Sequence, residues 1–357
     1  MRIRFSKLRD RLGGGEGSGG NRRLAGRVAI AALCALPLVV GVAACGSTSS
    51  ASGGSSIDVV GYSTPETTYE KSLEPAFQRT SQGQGTRFSN AFGPSGDQSR
   101  AVESGQPADV VHFSIQPDMQ RLVDDGIVDS NWDQNPYHGF VQDSVVVFVV
   151  RKDNPKNIRT WDDLVKPGVQ VVTPDPFSSG SARWNLMAAY GAQLQAGKSE
   201  TQAQDFLKSL LENTVVQPPS GGDALTTFTS GKGDVLLSYE NEAIAAQKAG
   251  EDVDYVIPDD TILIQTPLAT TKDASTQAQD FAKYLYTPKA QQLFADNGYR
   301  PVVKSVFDKN ESKFPTPPGL FTIDKVGGWD EVTTKFFDET NGIVTKDEQE
   351  VGVSTSG

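Results

Sequence analysis

The segment from Val169 to Gln195 constrains the fold most, because it predicts a strand, a polar turn and a helix in direct succession. The strand pattern is rich in valine and ends at Val172, and a helical pattern begins at Ala182. Between them lies the serine- and glycine-rich turn Ser178-Ser-Gly-Ser181. The first N–H groups of a helix have no partner within the helix and carry the positive end of its dipole. This junction therefore predicts a binding site for an anion.

Short apolar segments alternate with helical patterns along most of the chain. This alternation predicts an α/β fold with parallel-type sheets flanked by helices. The run Val145 to Val150 is apolar at every position, as expected of a strand that is buried on both faces. The tail after Thr345 is rich in charged and small residues, and we expect it to be frayed.

The alternating pattern restarts after the apolar run, which predicts two lobes. Residues 148–261 are expected to form the second lobe, inserted into a first lobe of residues 57–147 with 262–345. The chain would cross between the lobes twice, and the two crossings would form a hinge beside a ligand cleft. In open α/β sheets, ligands bind at the carboxyl ends of the strands, where the loops lie.

Residues 1–44 predict an export signal rather than a part of the fold. Basic residues precede an apolar run from Val28 to Ala44, and Cys45 follows directly. This order is typical of a signal peptide and resembles the lipobox of bacterial lipoproteins, which implies a lipid on Cys45 and an anchor at the outer face of the cytoplasmic membrane. Residues 45–56 would form a flexible Gly/Ser tether. One amino-terminal membrane helix is the alternative, although the run is short for a span.

Composition excludes several classes of function. The chain has 33 basic and 44 acidic side chains, and its formal net charge is -11 at pH 7. A strongly acidic exported protein is a poor candidate for binding nucleic acid or anionic lipid, so we expect membrane contact through the lipid anchor only. We also expect a monomer. Cys34 and Cys45 fall in or directly after the leader, and His112 and His138 are interpreted as packing or turn residues. We therefore expect no metal site and no cofactor.

Four predicted strand-to-helix junctions share one chemistry. They are Tyr62-Ser-Thr-Pro65, Gly93-Pro-Ser-Gly96, Ser178-Ser-Gly-Ser181 and Ser220-Gly-Gly222, and none contains Lys or Arg. Together they offer glycines for close backbone approach, hydroxyl donors and the first N–H groups of helices. Neutral donors suit a fully ionised anion, and the loops show no obvious buried acceptor for the proton of phosphate, which favours sulfate. Asp97 and Asp223 are interpreted as acids that complement a helix dipole.

Ordered motifs over most of the chain resemble the sulfate/thiosulfate-binding subunit of bacterial ABC importers, a periplasmic-binding-protein family with a two-lobed, type II fold. The resemblance runs from about Ile57 to Asp330. It is tightest in Phe148-Val-Val-Arg-Lys-Asp-Asn-Pro-Lys156, Trp161-Asp-Asp-Leu-Val-Lys-Pro-Gly168, Val172-Thr-Pro-Asp-Pro176, Ser179-Gly-Ser-Ala-Arg-Trp-Asn185, Gly233-Asp-Val-Leu-Leu-Ser-Tyr-Glu-Asn-Glu242 and Tyr284-Leu-Tyr-Thr-Pro288.

The resemblance implies a set of ligand-binding residues. They are Ser63, Ser95, Ser179, Gly180, Ser181, Gly221 and Tyr239. In the family a tryptophan indole N–H completes this set, whereas Tyr239 stands in its place here; a phenol can donate one hydrogen bond and can also accept. Ser63 stands where the family often has Asp, and Ser181 where glycine is usual. These departures leave the ligand open among sulfate, thiosulfate and a larger oxyanion such as molybdate.

The resemblance also implies a function without chemistry. The protein would capture the anion outside the cytoplasm and deliver it to a permease coupled to an ATPase. An exported hydrolase with Ser179 or Ser95 as nucleophile is one alternative, but neither histidine lies in a loop beside these serines. A surface lipoprotein that signals or adheres is another. Arg183 is interpreted as a helix-surface residue, and Trp184 is expected to pack beneath its loop.

Overall fold

The computed structural model describes residues 56–352, so the predicted signal peptide, Cys45 and the predicted tether up to residue 55 lie outside the described residues. The strands in this part are β1 (Ser56–Tyr62), β2 (Arg87–Gly93), β3 (Val110–His112), β4 (Phe140–Arg151), β5 (Val171–Val172), β6 (Thr214–Val216), β7 (Val235–Tyr239), β8 (Val253–Val256), β9 (Asp260–Thr270), β10 (Arg300–Pro301) and β11 (Gly319–Phe321). No helix within residues 56–352 is both long and apolar enough to cross a bilayer.

Helices surround these strands. The α-helices are α1 (Glu66–Thr68), α2 (Glu74–Gln78), α3 (Ser95–Glu103), α4 (Gln116–Asp124), α5 (Trp161–Leu164), α6 (Gly180–Gln195), α7 (Glu200–Glu212), α8 (Gly221–Thr229), α9 (Glu240–Ala249), α10 (Thr276–Leu285), α11 (Pro288–Asp296), α12 (Lys304–Asn310), α13 (Gly328–Phe337) and α14 (Ile343–Val351). A π-helical segment, Tyr69–Leu73, joins α1 to α2, and 3-10 turns lie at Glu311–Lys313 and Ile323–Val326.

The strands form a branched, mixed sheet, and the predicted α/β class is confirmed. Its main path runs β2-β1-β3-β9-β4-β7-β5-β6, with β8 and β10 paired to β4 and β11 paired to β9. Strand β1 is parallel to β2 and β3, and β5 is parallel to β6 and β7. At the centre, β9 is antiparallel to both β3 and β4, and β4 is antiparallel to β7. The predicted parallel arrangement therefore holds at the two ends of the path and not at its centre.

The two segments expected to cross between lobes are the long strands β4 and β9. They pair antiparallel, with Val145 opposite Leu263. Beyond this shared stretch, β4 pairs with β7 and β9 pairs with β3, so the two strands together join the halves of the sheet path. The apolar run Val145 to Val150 is buried along its whole length, as its composition predicts. The division into lobes at these strands stays a prediction.

The carboxyl-terminal helices α13 and α14 pack against α6 and α7, and the expected fraying after Thr345 is wrong as far as Val351. Trp329 of α13 meets Trp184 of α6 edge to face, with ring centroids 4.7 Å apart. Helix α14 packs on α7 and α13, and its Val344 is fully buried. The helix forms despite its charged sequence because one of its faces is buried. We propose that residues 323–351 belong with the second lobe rather than with the first.

Candidate functional site

The four predicted junctions lie next to one another in the structure. Helices α3, α6 and α8 begin at Ser95, Gly180 and Gly221. The amide of Gly96 donates to the carbonyl of Ser178 at 3.0 Å, which joins the second junction to the third. At the amino ends of these helices the backbone offers amide donors together with the positive ends of the helix dipoles.

The first and fourth junctions are joined in the same way. The amide of Gly222 donates to Ser63 Oγ at 3.3 Å. A Cβ atom added at Gly221 would lie 3.0 Å from Ser181 Oγ and 3.3 Å from Thr64 Oγ1, so this position has little room for a side chain. The first and third junctions therefore both lie against the start of α8 at Gly221. The structure therefore places all four junctions in one connected group.

The third junction supplies two buried hydroxyls. Ser179 and Ser181 are 3% and 4% exposed, and their Oγ atoms lie 2.8 Å apart. Ser179 precedes α6 with an extended backbone, and its side chain does not cap the helix. The first amides of α6 are consequently not capped by the serine that precedes them. This is the local arrangement that the sequence of the turn predicts.

Ser95 is bonded to a buried carboxylate that the sequence does not single out. Its hydroxyl donates to Asp118 Oδ2 at 2.6 Å and accepts from the amide of Ser114 at 2.9 Å. Burial raises the pKa of the Asp118 carboxyl, and the Arg183 guanidinium opposes that rise. Asp118 lies in the first turn of α4, where acids are common, so its position alone carries little signal.

A second buried carboxylate, Glu242, borders the site from α9. It accepts a 3.2 Å hydrogen bond from Thr64 Oγ1 and another from Ser238 Oγ. Burial raises the pKa of this carboxyl as well. A Cβ atom at Gly221 would lie 3.3 Å from Glu242 Oε1, which places the carboxylate beside the start of α8. The expectation that no buried acceptor lies near the loops is therefore wrong, and the argument for sulfate over phosphate that used it falls.

Tyr239 is fully buried and bonded to a residue that sequence reasoning missed. Its phenol oxygen lies 2.7 Å from Ser114 Oγ. Burial raises the pKa of the phenol well above its ordinary value, which keeps it protonated. The carbonyl of Ser114 accepts a 2.8 Å hydrogen bond from Trp184 Nε1, and Trp184 is buried as predicted. The only sequence signal for Ser114 is its place shortly after β3.

Arg183 is partly buried at the edge of the site rather than free on a helix surface. Its Nε donates to the carbonyl of Pro176 at 2.8 Å, and its guanidinium carbon lies 4.8 Å from the centre of the Phe337 ring. It lines a groove of about 1100 Å³ together with Arg100 and Arg121. Acidic side chains line the same groove: Glu103, Asp118, Asp124, Asp125, Asp330, Asp338 and Glu339. Because the acids outnumber the arginines, the groove is not a cationic patch.

The acidic residues that follow the second and fourth junctions, Asp97 and Asp223, interact with residues of their own helices or helix caps. Asp97 pairs with Arg100, three residues further along α3. Asp223 accepts a 2.6 Å hydrogen bond from Ser220 Oγ, and its amide donates to the same oxygen at 3.1 Å. Both residues lie in the first helical turn, so the interpretation from sequence is confirmed.

The two histidines are a packing residue and a turn residue, as predicted. His112 is fully buried, with Nδ1 2.9 Å from the Tyr69 hydroxyl and Nε2 3.1 Å from Thr266 Oγ1. Burial lowers the pKa of His112 to about 3. His138 lies in a turn with φ 54. Within residues 56–352, no group of His, Cys, Asp and Glu side chains is arranged to hold a metal ion.

Residues 57–300 match the family model described as bacterial extracellular solute-binding protein. A sulfate-binding protein of Synechococcus elongatus is 38% identical over 322 residues, which cover 86% of this chain and 92% of the relative. A thiosulfate-binding protein of Pseudomonas aeruginosa is 33% identical, and the match covers 75% of this chain and 85% of the relative. The solved structure of the sulfate-binding protein SubI from Mycobacterium tuberculosis H37Rv is 45% identical, with a TM-score of 0.77, and the match covers 80% of this chain and 100% of that one. The chain belongs to the bacterial extracellular solute-binding protein family.

Proposed function

We propose that this protein binds sulfate or thiosulfate outside the cytoplasm and delivers the anion to an ABC permease that is coupled to an ATPase. One observation carries the proposal: the predicted ligand-binding residues lie in a single connected group of loops at the amino ends of helices. The group contains Ser63, Ser95, Ser179, Gly180, Ser181, Gly221 and Tyr239. The relatives named as sulfate- and thiosulfate-binding proteins support the choice of ligand.

The physical basis of binding is a set of fixed neutral donors. Amides at helix amino ends and buried hydroxyls are held in place by the fold, so they replace the water around an anion with little reorganisation. The loops contain no Lys or Arg, and the chain is acidic overall. Attraction therefore comes from local dipoles rather than from the net charge of the protein.

The two buried carboxylates bear on which anion is accepted. Asp118 is held by Ser95, and Glu242 by Thr64 and Ser238. One or two protein hydrogen bonds do not use all the lone pairs of a carboxylate, so either residue can still accept a proton from a protonated anion. The carboxylates therefore do not exclude phosphate, and the relatives carry the choice of sulfate. Molybdate, which is also tetrahedral and doubly charged, is the alternative ligand.

The remaining features of the proposal concern how the protein works with its partners. We propose that the lobes close on the anion by bending at β4 and β9, since these two strands connect the halves of the sheet path. The protein would act as a monomer, without a cofactor and without catalysing a reaction. Cys45 would carry the lipid that holds it at the outer face of the cytoplasmic membrane, next to the permease.

Calorimetric titration of the purified protein with sulfate, thiosulfate, molybdate and phosphate tests the proposal. Perchlorate serves as a control because it has the same tetrahedral shape with a single charge. We expect saturable binding of sulfate or thiosulfate, weaker binding of phosphate and no heat from perchlorate. The proposal fails if none of the tetrahedral dianions binds. Binding of molybdate alone would select the alternative ligand.

A further inference from the structure

Ser114 lies in the candidate site, although its place shortly after β3 is the only sequence signal that marks it. It is 1% exposed and lies two residues after the end of β3. Its amide donates to Ser95 Oγ at 2.9 Å, its carbonyl accepts from Trp184 Nε1 at 2.8 Å, and its Oγ lies 2.7 Å from the Tyr239 hydroxyl. Ser95 and Tyr239 belong to the predicted ligand-binding set. Every polar atom of Ser114 is therefore bonded to a residue in or beside the site.

The Ser114 and Tyr239 hydroxyls carry more protons than their shared hydrogen bond uses. Each hydroxyl has one proton, and a bond between them occupies one of the two. Within residues 56–352, neither hydroxyl has a second side-chain or backbone partner. Both residues are buried, and a buried donor without an acceptor is costly. The pair consequently has one proton to give to an acceptor that the protein does not supply.

The surroundings of Ser114 indicate which hydroxyl gives that proton. A Cβ atom added at Gly180 would lie 2.8 Å from both Cβ and Oγ of Ser114, so the Ser114 hydroxyl lies against the first residue of α6. The serines of the third junction, Ser179 and Ser181, flank Gly180 in the chain. The Tyr239 hydroxyl is one hydrogen bond further from Gly180 along this chain of contacts. Its raised pKa keeps its own proton available for Ser114.

We propose that Ser114 donates its hydroxyl proton to the bound oxyanion, and that Tyr239 is a positioning residue that donates to Ser114 Oγ. This inference rests on the proposed function of oxyanion binding. It changes the role of Tyr239 from the one that the resemblance implies, because the phenol orients a serine donor and does not itself contact the anion. It also adds a ligand-binding residue to the set.

A double-mutant cycle with sulfate titrations tests the inference. The variants are Ser114→Ala, Tyr239→Phe and the double variant. We expect Ser114→Ala to weaken sulfate binding by about tenfold or more, as for a lost hydrogen bond to a charged acceptor. Tyr239→Phe weakens binding in the wild-type background, because Ser114 loses its orientation. In the Ser114→Ala background the same change has no further effect on sulfate affinity.

Two matched controls separate binding from packing. Ser144→Ala removes a buried hydroxyl that donates to Asn241 at 2.8 Å, and Tyr69→Phe removes a buried phenol bonded to His112. Both controls are expected to lower the thermal unfolding midpoint without sulfate and to keep the wild-type sulfate affinity. Ser114→Cys supplies a second variant of similar shape with a weak donor, and it is expected to bind sulfate weakly as well.

Three outcomes overturn the inference, and they differ from failure of the proposed function. Unchanged sulfate affinity in folded Ser114→Ala shows that the serine does not contact the anion. An equal loss of sulfate affinity on Tyr239→Phe in the wild-type and Ser114→Ala backgrounds shows that the phenol contacts the anion directly. An equal loss of sulfate affinity in the two controls shows a packing effect. If the wild-type protein binds no oxyanion, the proposed function itself fails and this inference falls with it.

Discussion

The Ser95 hydroxyl donates a 2.6 Å hydrogen bond to Asp118 while it accepts a 2.9 Å hydrogen bond from the amide of Ser114. A serine hydroxyl has a single proton. As long as that proton is on the bond to Asp118, the side chain of Ser95 has none to give to an anion. The Gly96 amide already donates to the carbonyl of Ser178. We therefore propose that the second junction serves the ligand through the Ser95 amide, and that the Ser95 hydroxyl holds Asp118 and Ser114 in place.

Ser95→Ala tests this division of roles. We expect the free energy of unfolding to fall by about 1–3 kcal/mol, because the Asp118 carboxyl and the Ser114 amide both lose a buried partner. Sulfate affinity is expected to fall less than in a variant that removes a direct donor. Chemical denaturation and calorimetry measure the two quantities. A large loss of affinity with unchanged stability would show that the hydroxyl binds the anion directly.

Ser179→Ala removes a hydroxyl that we expect to donate directly to the anion, so it is the comparison for Ser95→Ala. The Ser179 hydroxyl lies 2.8 Å from that of Ser181, and no carboxylate within residues 56–352 bonds to it. We expect sulfate binding to weaken by about 1–3 kcal/mol through the loss of one hydrogen bond to a charged acceptor. The unfolding midpoint without ligand should change little. An unchanged calorimetric affinity would count against the assignment of Ser179 to the ligand.

Replacing either of two glycines in the first turns of helices, Gly180 or Gly222, by alanine should change the stability of the protein in opposite directions. A Cβ atom at Gly180 would lie 2.8 Å from Ser114, whereas one at Gly222 would have Ser63 Oγ as its nearest neighbour at 3.5 Å. Gly180→Ala is therefore expected to cost about 1–3 kcal/mol of stability by overpacking and to weaken sulfate binding.

The Gly222→Ala variant keeps the backbone amide of this residue, and the added Cβ atom makes only ordinary van der Waals contacts. It should stabilise the protein by up to about 1 kcal/mol, since alanine favours a helix more than glycine does. Thermal unfolding of both variants side by side measures the difference. A stable, tightly binding Gly180→Ala variant would show that the loop can move away from Ser114.

The buried ion pair between Arg300 and Glu240 anchors the start of α9, next to Tyr239. Two hydrogen bonds of 2.7 and 3.1 Å join the side chains, which are 3% and 0% exposed. Arg300→Met leaves a buried carboxylate without its partner and is expected to cost about 3–5 kcal/mol in denaturant unfolding. Lys304→Met breaks an exposed pair with Asp308 and is the control, with no measurable loss expected. Equal stability of the two variants would contradict the prediction.

His112 makes stability depend on pH. Burial lowers its pKa from 6.5 to about 3, so the folded protein binds the proton less readily than the unfolded chain does. The contribution of the neutral, buried His112 to the free energy of unfolding is complete above about pH 6.5. It is lost as the pH falls towards 3, and about 2 kcal/mol of it is gone at pH 5.

His112→Asn removes this contribution from the pH profile. The difference in unfolding free energy between wild type and variant should therefore shrink as the pH falls from about 7 to about 5. Taking the difference removes the contributions of other titrating groups, such as Glu74 and Asp143, whose pKa values burial raises to about 7. A constant difference across that range would contradict the assignment.

Features that depend on neighbours along the chain were predictable from the sequence. The apolar run Val145 to Val150 is a buried strand, and the turn Ser178 to Ser181 leads from the strand Val171–Val172 into a helix. The helix begins at Gly180 rather than at the predicted Ala182, because the glycine and serine of the turn already have helical backbone. Strand burial and helix starts follow local composition and periodicity, so sequence reasoning identifies them.

The partner of each polar atom in the site was decided only by the tertiary structure. Thr64 and Glu242 are 178 residues apart in sequence, and Ser114 and Tyr239 are 125 apart. No local pattern pairs such residues, because their contact depends on how β1, β3 and β7 are ordered in the sheet. The helix at Ile343–Val351 was missed for the same reason, since a charged segment becomes helical when one face packs on α7 and α13. The sequence thus determined where anion-binding groups could lie, and the packing of distant strands decided which protons remain free for a ligand.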